Sequence, residues 1–487
     1  MKDFLAFDLG AESGRAMQAS LHRDVLTLAE VCRFPNGPIR DNGSQRWDIH
    51  RLWHEMRVAL ARVQGAQLES VGVDAWGCDY GLLRADGSLV EAPFTYRDAR
   101  TDGVMERVFA KVSRERIYAT TGIQFLWFNT LYQLYAACQT APETITAAHR
   151  FGTIPDLLNF WLSGELRAEY TNATTTQCVD ATSRTWATDL LDELGIPTRL
   201  LPEMVEPGSV LGRLRKEADK TLAGVPVVAP ACHDTGSAFT AVPTNGDTAF
   251  LSSGTWSLLG AELSSPIITP EALELDFTNE GGVCGTTRLL KNISGLWLLQ
   301  SCRRSWAASG RDYEYDELVA AAGAAHPFQA LVDPDSPGFR NPEDMVAAID
   351  GFCRQTGQPS LPGPPSYSRS IMESLAFKYR AVLEALETLT GRQFTQIRVV
   401  GGGARNRLLN QFTADATGRP VIAGPVEATA LGNIAMQMVA TGGVSSLGEA
   451  RQIIERSFPV EHFAPNEADR WEPHYQRFRE YVELTCA

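Results

Sequence analysis

The chain lacks any long hydrophobic run. Nowhere in its 487 residues do apolar side chains reach the 18 or more in succession that a membrane-crossing helix needs. The leading stretch MKDFLAFDLG is interrupted by aspartates and is too short for a secretory hydrophobic segment. It also lacks a basic cluster. Lys and Arg number 44 against 58 Asp and Glu, a formal net charge of −14, which argues against a nucleic-acid partner because phosphate backbones need a basic face. That acidity does not bar ATP, which is held by Mg²⁺ and a few local donors rather than by net charge. The nine cysteines (Cys32, Cys78, Cys138, Cys178, Cys232, Cys284, Cys302, Cys353 and Cys486) are scattered, odd in number and contain no C-x-x-C. They predict reduced thiols in a cytoplasmic protein, mostly filling the core, with no disulfide. The sequons at Asn172 and Asn292 are then chance matches. There is no G-x-S-x-G, so serine-hydrolase chemistry has no support. His50 and His54 stand at i, i+4, yet no third ligand accompanies them, and a solvated helix face is the reading.

What is present is an ordinary globular composition, 44% hydrophobic and 21% charged, with length for two to four domains. Residues 3–9 read as a strand, followed by a tight turn and one or two further strands over 15–31. Trp47–Gln64 reads as a helix, with Ile49, Leu52, Trp53, Met56, Leu60 and Val63 on one face. Ser70–Ala75 is a buried-type strand running into Gly77. The pattern restarts with strands at Gly246–Ser253 and Trp256–Leu263, a long helix over Ser366–Leu389, and a strand at Gln396–Val400. Strands, then helices, then strands again predict α/β domains with mixed sheets. The boundary falls near Pro243–Asp247, giving domains 1–245 and 246–487, the second repeating the first in kind. Nothing settles the oligomeric state; monomer and dimer both stand.

Three glycine-rich turns carry the chemistry. The first, FDLGAESGR, ends a strand at Asp8; Gly10 and Gly14 permit the turn, Ser13 offers a hydroxyl, and Arg15 can neutralise a transferring phosphoryl group. An ordinary hairpin turn explains that motif about as well by itself. Glu12 would repel a phosphate, so it must point away or serve a water on the metal. The second turn, LSSGTW, contains Thr255. The third, VVGGGARN, closes a strand and opens a helix, but lacks G-x-G-x-x-G spacing and is no Walker loop. Between the first two lies CHDTGSAF. Asp234 there follows a strand and opens a small-residue helix, a place for a carboxylate that takes a hydroxyl proton during phosphoryl transfer; a helix N-cap is the competing reading.

These turns, together with VDAWGCD (73–79), YRDAR (96–100), GIQFLWFNTLYQL (122–134), EYTNATTTQ (169–177), TNEGG (278–282), LKNISGLWLLQ (290–300) and GPVEATALGN (424–433), resemble in order the FGGY carbohydrate kinases, over nearly the whole chain. The resemblance implies two ribonuclease-H-like domains of the actin/hexokinase type with a central cleft closed by hinge motion. It implies ATP and Mg²⁺ as cofactors and a small-molecule sugar as substrate. That sugar is L-rhamnulose phosphorylated at O1, with L-fuculose as the alternative, and an ATP-driven conformational protein is the reading from another class. Carried over residue by residue, Asp234 is the base; Gly77, His233, Asp234, Thr235 and Asn292 contact the sugar. Ala11, Glu12, Ser13, Gly14, Arg15, Thr255, Gln300 and Gly402 contact ATP, and Asp8 holds Mg²⁺ through water. Two positions depart from the family pattern: Ala11 stands where Thr is usual, and Tyr96 where many relatives carry Trp.

Overall fold

The computed structural model describes residues 2–63, 67–243 and 247–486. The chain opens with three antiparallel strands, β1 (Lys2–Leu9), β2 (Ser13–His22) and β3 (Val25–Pro35), in which Asp8 lies opposite Arg15. A small hairpin, Pro38–Asp41 with Ser44–Trp47, follows. Helix α1 spans Ile49–Arg62 and starts two residues later than its apolar spacing suggests, because Trp47 ends the hairpin and the Asp48 side chain caps Arg51 N. Gln64 lies outside the described residues. Strand β4 (Leu68–Ala75) pairs parallel with β1 and sets Asp74 beside Asp8. Then come α2 (Ile154–Ser163), α3 (Tyr170–Thr175), β5 (Ser209–Arg213), β6 (Pro226–Ala229) and α4 (Asp234–Thr240).

Strand β7 (Thr248–Ser253) turns into the antiparallel β8 (Trp256–Leu263), and Gly246 lies outside the described residues. After β9 (Thr278–Gly281) and β10 (Thr287–Ser294) come α5 (Trp297–Ala308) and the long α6 (Pro364–Thr390), which opens on two prolines in its first turn. Strand β11 (Gln396–Val400) leads through a single 3₁₀ turn, Gly402–Arg405, into α7 (Arg407–Thr417). The third glycine motif, which ends at Asn406, thus closes β11 and through that turn opens α7, its Asn406 side chain capping the helix at Leu409 N. Strand β12 (Val421–Ala423), α8 (Ala428–Ala440) and β13 (Glu461–Phe463) complete the frame.

Two compact units result. Unit 1 is Met1–Pro243 with Glu262–Leu289 and Ala428–Phe458; unit 2 is Thr244–Ala261, Leu290–Glu427 and Pro459–Ala487. The expected boundary falls on residues 244–246, outside the described residues. The sheet of unit 1 runs β5-β6-β4-β1-β2-β3, with β1–β4 and β4–β6 parallel. The second sheet has seven strands in the order β9-β10-β8-β7-β11-β12-β13, again with the first strand of a hairpin paired parallel to a later strand, β7 to β11. The repeated order is the internal duplication that residue identity is too weak to show. In unit 1, Leu5, Phe7, Val71 and Val73 from the sheet pack with Leu52, Met56 and Leu60 of α1 and Leu157 and Leu158 of α2. Each such side chain contributes ~1.5–3 kcal/mol on burial. That rigid sheet is what holds the strand ends carrying the site.

Candidate active site

The first glycine turn is a braced loop. Gly10 N donates to Ser13 O at 2.9 Å, and Asn36 ties it from outside, its side chain to Gly10 O and its N–H to Glu12 O, both at 2.9 Å. Asn36 was not picked out from the sequence, since a lone Asn before Gly reads only as a turn. Gly14 is needed for packing: a Cβ there would lie 2.2 Å from the Phe34 ring. Ala11 and Ser13 are half-buried and Glu12 is exposed. Asp8, at the end of β1, is buried and forms an ion pair with Arg15. Asp74 beside it is fully buried; its Oδ2 accepts from Asn433 Nδ2 at 2.6 Å, while Oδ1 has no hydrogen-bond partner. Burial, and then the charge of Asp8, push the Asp74 carboxyl well above the usual carboxylate range.

Asp234 is the first residue of α4; the N-cap is His233, so the capping reading of the aspartate does not hold. Two donors meet its Oδ1, Thr235 N at 2.5 Å and Thr235 Oγ1 at 3.2 Å, and His233 Nε2 lies 3.3 Å from the same oxygen without hydrogen-bond alignment. Among the described residues none donates to Oδ2, and the side chain stays 32% exposed. The loop before it is anchored by a buried carboxylate. Glu169, capping α3, accepts from Thr171 N, Thr171 Oγ1, Asn172 N and Cys232 N at 2.7–3.2 Å. His233 N in turn donates to Thr171 Oγ1 at 3.2 Å, and Ala75 N to Cys232 O at 2.9 Å. Those contacts bring the end of β4 and the loop before Asp234 together, which no local pattern reveals.

Gly77 sits in a turn locked by Asp79, a residue the sequence reading did not single out. Its Oδ2 accepts from Trp47 Nε1, Trp76 Nε1 and Tyr96 N at 2.6, 3.0 and 3.1 Å, and its Oδ1 from Gln133 Nε2 at 3.0 Å. Burial pushes this carboxyl up to about 6, against those hydrogen bonds. Tyr96, the departure from the family's Trp, thus takes part through its backbone. A Cβ on Gly77 would lie 2.8 Å from Thr175 Oγ1, so the turn admits only glycine without rearrangement.

Unit 2 carries the other expected residues. Thr255 lies in the β7–β8 turn, its carbonyl accepting from Trp297 N at 3.1 Å. Gln300, on α5, has a buried Oε1 with no hydrogen-bond partner. The three glycines of the third motif differ in role: a Cβ on Gly401 or Gly403 would strike Ser253, at 3.0 and 2.0 Å, whereas nothing lies within 4 Å of one on Gly402. Two are needed for packing, and the middle one faces open space. Asn292 lies on β10, half-buried.

Family models match both parts of the chain: the FGGY family of carbohydrate kinases, N-terminal domain, over residues 4–240, and the C-terminal domain of the same family over residues 249–441. The chain belongs to the FGGY family of carbohydrate kinases. This FGGY kinase is 43% identical over 486 residues to the rhamnulokinase of Bacteroides thetaiotaomicron, covering 99% of each chain. It is 42% identical to that of Pectobacterium carotovorum, covering 98% of this chain and 96% of the relative. Its fold is similar to that of the ligand-bound xylulose kinase from Lactobacillus acidophilus, at a TM-score of 0.83, 17% identity and coverage of 100% and 99%. It is therefore a sugar kinase that uses ATP, built from two ribonuclease-H-like domains of mixed α/β structure. No helix among its described residues is long and apolar enough to cross a membrane. None of its eight cysteines from Cys32 to Cys353 forms a disulfide among those residues.

Proposed function

We propose that the enzyme transfers the γ-phosphoryl group of ATP to O1 of L-rhamnulose, giving L-rhamnulose 1-phosphate and ADP, with Asp234 as general base. The observation that carries the base assignment is the asymmetry of its carboxylate: Oδ1 accepts from both donors of Thr235 and faces His233 Nε2, whereas Oδ2 receives none and the side chain is partly open. An oxygen so placed can take the O1 proton as O1 attacks phosphorus, while the electron pair of the broken P–O bond leaves with ADP. The sugar assignment is supported by relatives named rhamnulokinases at 40–43% identity over nearly the full chain.

The expected domains, 1–245 for the sugar and the base and 246–487 for ATP, each lend residues to the other's task, residues 11–15 to ATP and Asn292 to the sugar. Gly77, His233, Thr235 and Asn292 hold the sugar. Residues 11–15, Thr255, Gln300 and Gly402 hold ATP; the orphaned Gln300 Oε1 and the open side of Gly402 support the last two. The residues fit Mg²⁺ bound through water. Among the described residues no three His, Cys, Asp or Glu side chains come together as a metal cage, and Asp8 with the neighbouring orphaned Asp74 Oδ1 suits an ion that keeps its waters and phosphate oxygens. When bound, the ion neutralises phosphate charge. The free thiols suit a cytoplasmic enzyme.

The test is coupled ADP release with MgATP and L-rhamnulose, L-fuculose, D-xylulose, glycerol or no sugar. Turnover that is strong with L-rhamnulose and weak with the rest is expected. Preference for another sugar overturns the substrate, and sugar-independent hydrolysis overturns the assignment of the sugar-holding residues.

A further inference from the structure

Behind the base lies a charged cluster that the transfer reaction does not require on paper. Glu280, on β9, and Arg288, on β10, are both buried within unit 1, the arginine at 1% exposure. Arg288 Nη2 lies 3.0 Å from Glu280 Oε2, and its Nε donates to Gly281 O at 2.9 Å. Burial would raise the Glu280 carboxyl, but the Arg288 charge, and after it His233, hold it below the usual range. Buried charges are costly unless paired, and replacing such a pair with apolar side chains is often neutral or stabilising. Stability alone therefore gives no reason for this pair.

Its geometry gives one. His233 Nδ1 lies 3.2 Å from both Arg288 Nη2 and Glu280 Oε2. The contact with Arg288 has hydrogen-bond alignment; Glu280 Oε2 has no aligned hydrogen bond at all. A guanidinium only donates, so Nδ1 must be the bare nitrogen and the imidazole proton sits on Nε2. Nε2 is the atom 3.3 Å from Asp234 Oδ1. On this basis we infer that Glu280 and Arg288 are positioning residues, which fix His233 as the Nε2–H tautomer so that an N–H dipole, and not a lone pair, faces Asp234 Oδ1 and Oδ2 is left for the sugar hydroxyl. Arg288 supplies the donor, and Glu280 neutralises Arg288. Without Arg288, the Glu280 carboxylate would draw the proton to Nδ1 and turn a lone pair toward the base.

The inference rests on Asp234 being the base, and the two can fail separately. In the full-length protein carrying ¹⁵N-labelled histidine, the His233 imidazole signals are assigned by their loss in His233→Gln. The expected spectrum has Nδ1 unprotonated and Nε2 protonated; a proton on Nδ1 overturns the inference in the wild type, with no variant needed. Arg288→Met is expected to move the proton to Nδ1 and to lower kcat by roughly 10- to 100-fold, the usual loss when the partner orienting a histidine is removed, at unchanged KM for ATP. Arg288→Met/Glu280→Gln, which removes the stranded carboxylate, is expected to restore the Nε2–H signal and most of kcat. A single variant with unchanged tautomer and turnover, or a double variant as slow as the single, overturns the inference. Full activity of Asp234→Asn would remove the base assignment and leave the His233 spectrum as it is.

Discussion

Gly432 lies against Ser237 so closely that a Cβ at position 432 would stand 1.7 Å from the Ser237 carbonyl oxygen. The two residues belong to α8 and α4, and α4 begins with Asp234. The helix that carries the proposed base is thus seated directly on the backbone of a helix nearly two hundred residues later in the chain. Ser237 Oγ also donates to Ala231 O at 2.7 Å, tying α4 to the loop before it.

Gly432→Ala should therefore push α4 out of place. Overpacking of this kind costs typically ~1–3 kcal/mol, and the clash here is with backbone, which cannot swing aside. A lowered melting temperature and a fall in kcat larger than any change in ATP affinity are expected. A variant that melts and turns over like the wild type would show that the helix seat does not govern the base.

Asp234→Asn should leave ATP binding nearly intact and cut turnover by about 10²- to 10⁴-fold, the usual worth of a positioned general base. Isothermal titration with nucleotide and coupled ADP release separate the two effects. Activity within a few-fold of wild type would take the base role away from this residue.

Arg15→Ala breaks the ion pair with Asp8 at the first glycine turn. If Arg15 stabilises the transferring phosphoryl group, kcat falls along with ATP affinity. A rise in KM for ATP at constant kcat would reduce Arg15 to a binding residue.

Stability should carry a pH signature from Asp156, whose carboxyl accepts from Thr153 N, Thr153 Oγ1 and Glu169 N. Burial pushes it up to about 7, outweighing those hydrogen bonds. The folded state then binds its proton more tightly than the unfolded chain. That contribution is fully present below the unfolded value near 4 and is lost as pH rises through about 7. Asp156→Asn removes it. Denaturant unfolding at several pH values should show the wild-type advantage over the variant falling between pH ~4 and ~7, by at most ~1.4 kcal/mol per pH unit, and flat above. An advantage that grows with pH would contradict the assignment.

Much of the frame was legible because it is written in local periodicity. The short apolar run in residues 3–9 and the apolar stripe of α1 both depend on neighbours a few positions apart, and they appear as β1 and α1. Asp234 was legible because a strand, an acid and a run of small residues follow one another directly. Asp79 and Glu169 were not. Each is a lone acid in an ordinary stretch, and its meaning comes from donors such as Trp47, Gln133 and Cys232, which lie tens of residues away. Equally, three consecutive glycines look alike in sequence; only the position of Ser253 separates the two required for packing from Gly402.

The sequence by itself determined the α/β class, the glycine turns and the family resemblance, because apolar runs, turn chemistry and motif order are properties of contiguous residues. Only the tertiary structure decided that β9 and α8 complete unit 1, that α4 is seated on Gly432, and that Glu280 and Arg288 stand behind His233. Those relationships come from sheet order and buried charge pairing between distant segments, and hydrophobic periodicity does not encode which distant partner a strand end will meet.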